Sequence, residues 1–233
     1  MAASEDTRRP PAVSRRISMR FLPNEPDERT STLVLNAGGA TSLFTDFRPF
    51  LDDPARCEWA FAGQKEYLPD GRCAFNHLLD SRVPEGAQPP PDVGTWHVLA
   101  NGDELETGEM LNPATGATEP YEEVWREEDV VPGTKVVALQ LVDVHPDGSP
   151  GPVRGVFVQV GDWAQGVVRT PHGVSARRRH YVDSWRTVAA HGPDAAVMLP
   201  LDGGVEHDTA TYVPTVHDAD VQWTVVENYT WNP

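Results

Sequence analysis

Five residues of this chain are chemically suited to proton transfer, and they are spread along the sequence rather than gathered in one motif. They are His77, Asp80, Glu106, Asp162 and His180. Inside an apolar β-barrel, burial would raise the pKa of a carboxyl group or lower that of a histidine, which suits acid–base chemistry without a cofactor. The same residue types are more often found at surfaces and caps, and no nucleophile stands beside a base in a recognised motif. The catalytic residues therefore stay unassigned.

A second set of residues could recognise a ligand. Six tryptophans lie in predicted strands, where the large indole ring suits the wall of a binding pocket as well as a packed core. A group of polar and aromatic residues between Glu106 and Trp125 flanks the predicted junction of two domains, where clefts form; the alternative is a solvated face around a turn. The predicted ligand-binding residues are Trp59, His77, Glu106, Tyr121, Glu123, Trp125, Trp163 and Trp223.

Two short segments carry side chains that could bind a metal ion, Glu206-His207-Asp208 and His217-Asp218-Ala219-Asp220. Their spacing fits no common metal site, and both lie in a turn-rich region that suits a solvated loop. The sequence also has no glycine-rich loop of the kind that holds phosphates. We predict neither a metal site nor an organic cofactor.

The charge of the chain limits its partners. Asp and Glu number 35 against 19 Lys and Arg, so the net charge of −16 argues against nucleic acid as a partner. The most apolar window, residues 130–144, is interrupted by Pro132, Gly133 and charged residues, so we predict no membrane insertion. The start of the sequence lacks the apolar core of a secretory signal, which indicates an intracellular protein. The triplet Arg177-Arg178-Arg179 could serve nuclear import or partner docking, or could simply balance local acidic charge.

The pattern along the chain is typical of an all-β protein. Short runs rich in Val, Thr, Phe and Trp alternate with turn sequences, and residues 30–36 and 42–47 form a predicted hairpin around Gly38-Gly39. A short helix near residues 175–181 is an alternative to a strand. About a dozen strands are too many for one open sheet, so we predict two antiparallel barrels with apolar interiors. The expected division is a flexible tail over residues 1–16, one barrel over 17–115 and a second over 116–233.

Six short motifs occur in a familiar order from residue 46 to residue 227. They are Asp46-Phe47-Arg48-Pro49-Phe50, Glu58-Trp59-Ala60-Phe61-Ala62-Gly63, Glu106-Thr107-Gly108, Tyr121-Glu122-Glu123-Val124-Trp125, Gly161-Asp162-Trp163-Ala164-Gln165-Gly166 and Val221-Gln222-Trp223-Thr224-Val225-Val226-Glu227. In this order the sequence resembles the fungal Hri1 family. The resemblance implies two lipocalin-like β-barrel domains, a cytoplasmic and nuclear location, and a protein kinase among the partners. It implies no catalytic residues.

These observations predict a binding protein without a cofactor. We expect it to dock a protein partner or a small apolar molecule at a barrel mouth or at the domain junction. The alternative is an enzyme, a cofactor-independent isomerase or cyclase that acts on an apolar metabolite inside one barrel. The alternative requires a buried carboxylate or histidine on the wall of an open cavity. The fold alone does not decide between the two functions, because one barrel architecture supports many unrelated activities.

Overall fold

The computed structural model describes residues 9–144, 150–196, 211–212 and 223–233. These residues form fifteen β-strands and no helix, so the described part of the chain holds no helix that could cross a membrane. The strands are β1 (Ala12–Phe21), β2 (Leu33–Asn36), β3 (Leu43–Pro49), β4 (Cys57–Tyr67), β5 (Cys73–Asp80), β6 (Val93–Val98), β7 (Glu104–Leu111), β8 (Thr118–Glu127), β9 (Lys135–Val144), β10 (Pro150–Val160), β11 (Trp163–Thr170), β12 (Gly173–Tyr181), β13 (Trp185–His191), β14 (Thr211–Tyr212) and β15 (Trp223–Thr230). The predicted all-β class is confirmed.

The first eight strands form a closed antiparallel barrel. Strand β8 closes it by pairing with β1, from Ser14 opposite Glu127 to Phe21 opposite Tyr121. Closure leaves none of these strands at an edge, which removes the unpaired backbone groups that would otherwise attract another chain. The barrel therefore begins inside the predicted tail of residues 1–16, and it extends past the predicted division at residues 115 and 116.

The second half forms a seven-stranded sheet in the order β13-β12-β11-β10-β9-β15-β14. A second closed barrel was expected, whereas in the described residues β13 and β14 are the two ends of this sheet. Residues 175–181 lie in a strand rather than in a short helix. Strand β12 is paired along its length with β11 and with β13, and this pairing outweighs the helix propensity of its Ala and Arg residues.

The largest hydrophobic core lies between the outer wall of the barrel and the second sheet. Leu33, Leu35 and Phe47 point outward from β2 and β3, and they belong to the same buried cluster as Val156 and Val158 of β10. The predicted apolar interior of the first barrel is present only in part. Side chains alternate along a strand, so that Phe44 of β3 points inward and forms a buried aromatic cluster with Trp59 and Phe61. The polar side chains Asp46 and Arg48 share this interior with the aromatic cluster.

A polar anchor, formed by Arg178 and Gln165, joins the two halves within this core. The Arg178 guanidinium is 2 % exposed and donates hydrogen bonds to the Ser31 carbonyl at 2.7 Å, the Phe47 carbonyl at 2.5 Å and Gln165 Oε1 at 2.7 Å. Gln165 Nε2 donates in turn to the carbonyls of Leu33 and Thr45, both at 3.0 Å. Burial, followed by the nearby charge of another arginine, lowers the pKa of Arg178 to about 9.

The hypothesis of a basic docking patch at Arg177-Arg178-Arg179 is therefore wrong. Arg177 and Arg178 are both buried. Arg179 donates a hydrogen bond to the backbone carbonyl of Trp185 at 2.7 Å, within the sheet itself. The triplet contributes to the assembly of the fold rather than to a charged surface.

Candidate functional site

The interior of the barrel is a cavity that opens at one end. Its empty space is about 630 Å³, a figure that includes open solvent at the mouth. The inner space is narrow, so it suits a flat or slender molecule. The cavity is lined by Ala12, Ser14, Val34, Asn36, Phe44, Asp46, Arg48, Trp59, Phe61, Lys65, Tyr67, Phe75, Asp92, Trp96, Glu106, Met110, Tyr121, Glu123 and Trp125.

Two buried glutamates face each other across strands β7 and β8. Glu106 stands directly opposite Glu123, and both side chains point into the barrel. Glu106 accepts hydrogen bonds from the Tyr121 hydroxyl at 2.8 Å and from Trp125 Nε1 at 2.9 Å. Burial, and then the negative charges of Glu123 and Asp92, raise the pKa of Glu106 to about 8. The carboxyl group of Glu106 is therefore mostly protonated at neutral pH.

The second glutamate has a different environment because two arginines neutralise it. Arg16 Nη1 lies 2.5 Å and Arg48 Nη1 lies 3.2 Å from Glu123 Oε1. Arg48 also pairs with Asp46 at 2.8 Å, and its guanidinium lies over the Trp59 ring, 4.8 Å from the centroid. Burial works against the charged form of Arg48, but Asp46 and Glu123 outweigh it and raise the pKa of Arg48 well above its ordinary value. The two neighbouring glutamates therefore have different partners, arginines for Glu123 and the neutral donors Tyr121 and Trp125 for Glu106.

A buried histidine joins β5 to the segment before β6. His77 Nδ1 lies 2.8 Å from Asp80 Oδ2, and His77 Nε2 lies 3.1 Å from Asp92 Oδ2, with the imidazole 1 % exposed. Burial opposes protonation, but hydrogen bonds to Asp80 and Asp92 raise the pKa of His77 to about 9. Strands β5 and β6 pair at only two positions, so the imidazolium ties the strands together where backbone pairing has ended.

Aromatic rings and two cations form the mouth of the cavity. The Lys65 ammonium lies 5.1 Å from the ring centroid of Trp96, 5.2 Å from that of Tyr67 and 5.3 Å from that of Phe75. The Arg9 guanidinium lies over the Tyr67 ring at 4.4 Å. These are distances at which a cation is attracted to the face of an aromatic ring.

Comparison with known proteins identifies the family. A family model described as Protein HRI1 matches residues 12–227. The chain belongs to the HRI1 family. The HRI1 chain is also similar to the crystal structure of the uncharacterized protein YLR301w from Saccharomyces cerevisiae, with a TM-score of 0.74 and 21 % identity over 94 % of this chain and 99 % of that one. At this identity the likeness concerns the fold alone, and no match was found among curated proteins.

The HRI1 barrel brings together five of the eight residues predicted to bind a ligand. Trp59, Glu106, Tyr121, Glu123 and Trp125 all line the cavity. They lie inside the first barrel and not in a cleft at the junction of two domains, because β8 is the closing strand of that barrel.

The other three predicted residues lie outside the cavity of the HRI1 chain. His77 is not a lining residue, but its ring packs against the lining residue Phe61 with centroids 4.4 Å apart, and its Nε2 lies 3.1 Å from the lining residue Asp92. Trp163, the first residue of β11, stacks on His180 near the end of β12, with ring centroids 3.9 Å apart. Trp223 is fully buried in a separate core cluster of that sheet.

The remaining candidates for proton transfer and metal binding have structural roles or lie elsewhere. Asp80 accepts a hydrogen bond from Trp59 Nε1 at 2.7 Å, and Asp162 is exposed in a turn. The possible metal ligands at 206–208 and 217–220 fall outside the described residues. Within the ranges that the HRI1 structure describes, no group of three or more His, Cys, Asp or Glu residues could hold a metal ion.

Several lining residues were missed from the sequence. They are the charged residues Asp46, Arg48, Lys65 and Asp92, and Arg16 behind them. The spacing of Asp46 and Arg48, two apart in a predicted strand, does indicate that they share a face. This spacing does not by itself place the two side chains inside a barrel, because polar residues that alternate in a strand ordinarily face water.

Proposed function

We propose that this HRI1 family protein is a binding protein and that its first barrel holds a small molecule. The observation that carries the proposal is a closed barrel whose largest hydrophobic core lies outside it, while its interior holds a cavity with aromatic and polar walls. Ligand pockets typically combine apolar and aromatic walls with a few fixed polar groups. In this barrel the polar groups are fixed by their own hydrogen bonds and ion pairs.

The chemistry of the wall favours a planar molecule over a flexible apolar one. The lining holds the rings of Phe44 and Phe61 beside the carboxyl group of Glu106, so a molecule with an aromatic face and a polar edge matches the lining better than a saturated chain does. A flat ring can contact the aromatic faces while its edge meets the carboxyl group of Glu106. We therefore propose that the barrel holds a ligand in its interior, as a lipocalin-like barrel does. Its interior is more polar than the wholly apolar ligand predicted from the sequence would need.

A fluorescent probe tests the binding proposal. N-phenyl-1-naphthylamine, a neutral aromatic dye, should show saturable one-to-one binding, with a rise in dye emission and quenching of tryptophan emission. The variant Ala12→Phe adds bulk to the cavity lining and should weaken binding by at least fivefold. The control Val98→Phe adds a ring at a position that is 76 % exposed, and it should leave binding unchanged. Absence of saturable binding in the wild type would refute the proposal.

The same geometry favours proton transfer as a second candidate function. A carboxyl group with a pKa near neutrality is a suitable general acid, and burial raises the pKa of Glu106 to about 8. We propose that Glu106 gives its proton to the oxygen of a carbonyl compound in the cavity while a water molecule removes a proton from the adjacent carbon. The resulting enol then takes up a solvent proton at that carbon and returns its hydroxyl proton to Glu106. The test follows deuterium exchange at the methyl group of 2-acetylnaphthalene in D₂O by NMR. Exchange that is faster with wild type than with Glu106→Gln supports an enzyme, whereas equal rates leave the binding role alone.

We also propose, on the family resemblance alone, that the protein works in the cytoplasm and nucleus and that a protein kinase is among its partners. Either the mouth of the barrel or the second sheet could provide the contact. Co-purification of the tagged protein with a casein-kinase-type kinase, and the location of a fluorescent fusion, test these two points separately.

A further inference from the structure

Two positive side chains at the mouth of the cavity have no carboxylate in direct contact within the described residues. Lys65 and Arg9 both lie against the ring of Tyr67. Within the described residues, neither side chain forms an ion pair or donates a hydrogen bond. The nearby carboxylate of Glu127 instead accepts a hydrogen bond from Ser14. Acidic residues outnumber basic ones by 35 to 19 in this chain, so two unpaired cations at one opening call for an explanation.

The carboxyl groups that line the cavity are all accounted for. Glu123 and Asp46 are paired with arginines. Asp92 is paired with His77. Glu106 accepts two hydrogen bonds and is mostly protonated at neutral pH, because burial raises its pKa. The unbalanced charge of the lining is therefore positive and lies at the mouth.

A buried hydrogen-bond donor beside these cations also lacks an acceptor. Trp96 Nε1 is inaccessible to solvent and has no hydrogen-bond partner. The Lys65 ammonium lies 5.1 Å from the Trp96 ring centroid, so an acceptor group held by Lys65 lies beside this indole. A buried donor without an acceptor is costly in a folded protein, and a ligand acceptor held by Lys65 removes that cost once the side chains that cover Trp96 Nε1 shift.

We propose that the cavity binds a planar aromatic carboxylate, with its carboxylate at the mouth against Lys65 and Trp96 Nε1 and its ring against the aromatic wall. This inference rests on the proposed binding function and adds the chemical class of the ligand. Arg9 contributes further positive charge at the rim. A cationic ligand would have to displace Lys65 from the rings that surround it, whereas an anionic ligand uses Lys65 where it stands.

Three ligands with the same ring test the inference by isothermal titration calorimetry at pH 7. They are 2-naphthoate, the neutral 2-naphthamide and the cationic 2-naphthylmethylammonium. We expect 2-naphthoate to bind at least tenfold more tightly than 2-naphthamide, because hydrogen bonds to charged groups are stronger than neutral ones. Raising the salt concentration should reduce this preference, because the mouth is open to solvent.

Two variants of Lys65 test whether this side chain causes the preference for 2-naphthoate. Lys65→Met and Lys65→Gln should each lose most of the preference for 2-naphthoate while they change the affinity for 2-naphthamide by less than about twofold. Binding of 2-naphthamide thereby shows that the cavity is intact. The control Arg186→Met removes a cation from β13, where Arg186 pairs with Asp183, and should keep the full preference.

The outcomes separate the two proposals. If wild type binds 2-naphthamide as tightly as 2-naphthoate, or binds the ammonium compound most tightly, the binding function stands and the carboxylate inference is wrong. The inference is also wrong if both Lys65 variants keep the tenfold preference. If none of the three compounds binds, the proposed binding function itself fails.

Discussion

Replacement of Glu106 by glutamine should make the protein progressively more stable than wild type as the pH rises. In the folded protein, burial and then the charge of Glu123 raise the pKa of Glu106 to about 8, from an ordinary value of 4.5. Between these two pH values the folded state holds a proton that the unfolded state has lost. The stabilising contribution of this proton is complete below pH 4.5 and is lost as the pH rises through 8, so wild-type stability falls over this range.

The magnitude follows from the width of the pH window. Each pH unit in which the two states differ by one proton changes the free energy of unfolding by about 1.4 kcal/mol. From pH 5 to pH 8 the advantage of Glu106→Gln over wild type should therefore grow by about 4 kcal/mol. The glutamine fits the site because its amide oxygen can accept from Trp125 Nε1 and its amide nitrogen can donate to the Tyr121 oxygen.

Urea unfolding followed by tryptophan fluorescence, at half-unit steps from pH 5 to pH 9, measures this difference. The matched control is Glu109→Gln, which makes the same replacement at an exposed position of the same strand. Its difference from wild type should stay constant with pH. A Glu106→Gln curve that runs parallel to wild type would show that Glu106 is ionised throughout, and the reasoning about its burial would then be refuted.

Three further predictions concern the fold. In an NMR titration, His77 should show a pKa of about 9, because Asp80 and Asp92 raise it against the effect of burial. The stabilising contribution of its proton is complete below pH 6.5 and disappears as the pH rises through 9. A measured pKa near 6.5 would contradict the bridging role of His77. Arg178→Met should lower the free energy of unfolding by about 3 kcal/mol, because three buried acceptors lose their donor, and Arg186→Met serves as the exposed control. Leu35→Ala should cost about 3 kcal/mol through the cavity left in the core between barrel and sheet, whereas an equal loss from a Val98→Ala variant would contradict this location of the core.

Strands whose pattern is local could be predicted from the sequence. Cys73–Asp80 and Lys135–Val144 have the bounds that their apolar runs and flanking turns indicate. The hairpin between β2 and β3 turns at Gly38 and Gly39, which both have positive φ as the tight turn requires. The order of the six motifs gave the family, and the family match over residues 12–227 confirms it.

The polarity of the barrel interior depends on contacts that are remote in sequence, and it could not be predicted in the same way. The sequence places Arg16 in a charged tail, whereas in the structure it forms an ion pair with Glu123, which is 107 residues further along the chain. The sequence pattern of Asp46 and Arg48 is typical of the solvent-facing side of a strand, whereas barrel closure turns this side toward the interior. Only the packing of the second sheet against Leu33 and Leu35 shows which face of the wall is apolar.

The placement of the main core outside the barrel has a consequence for how this protein can change. The residues that hold the two halves together are different from those that line the cavity. A substitution in the lining can change the shape and polarity of the cavity without disturbing the contacts of Leu35 or Phe47. The interior of the barrel can therefore vary in sequence while the architecture persists.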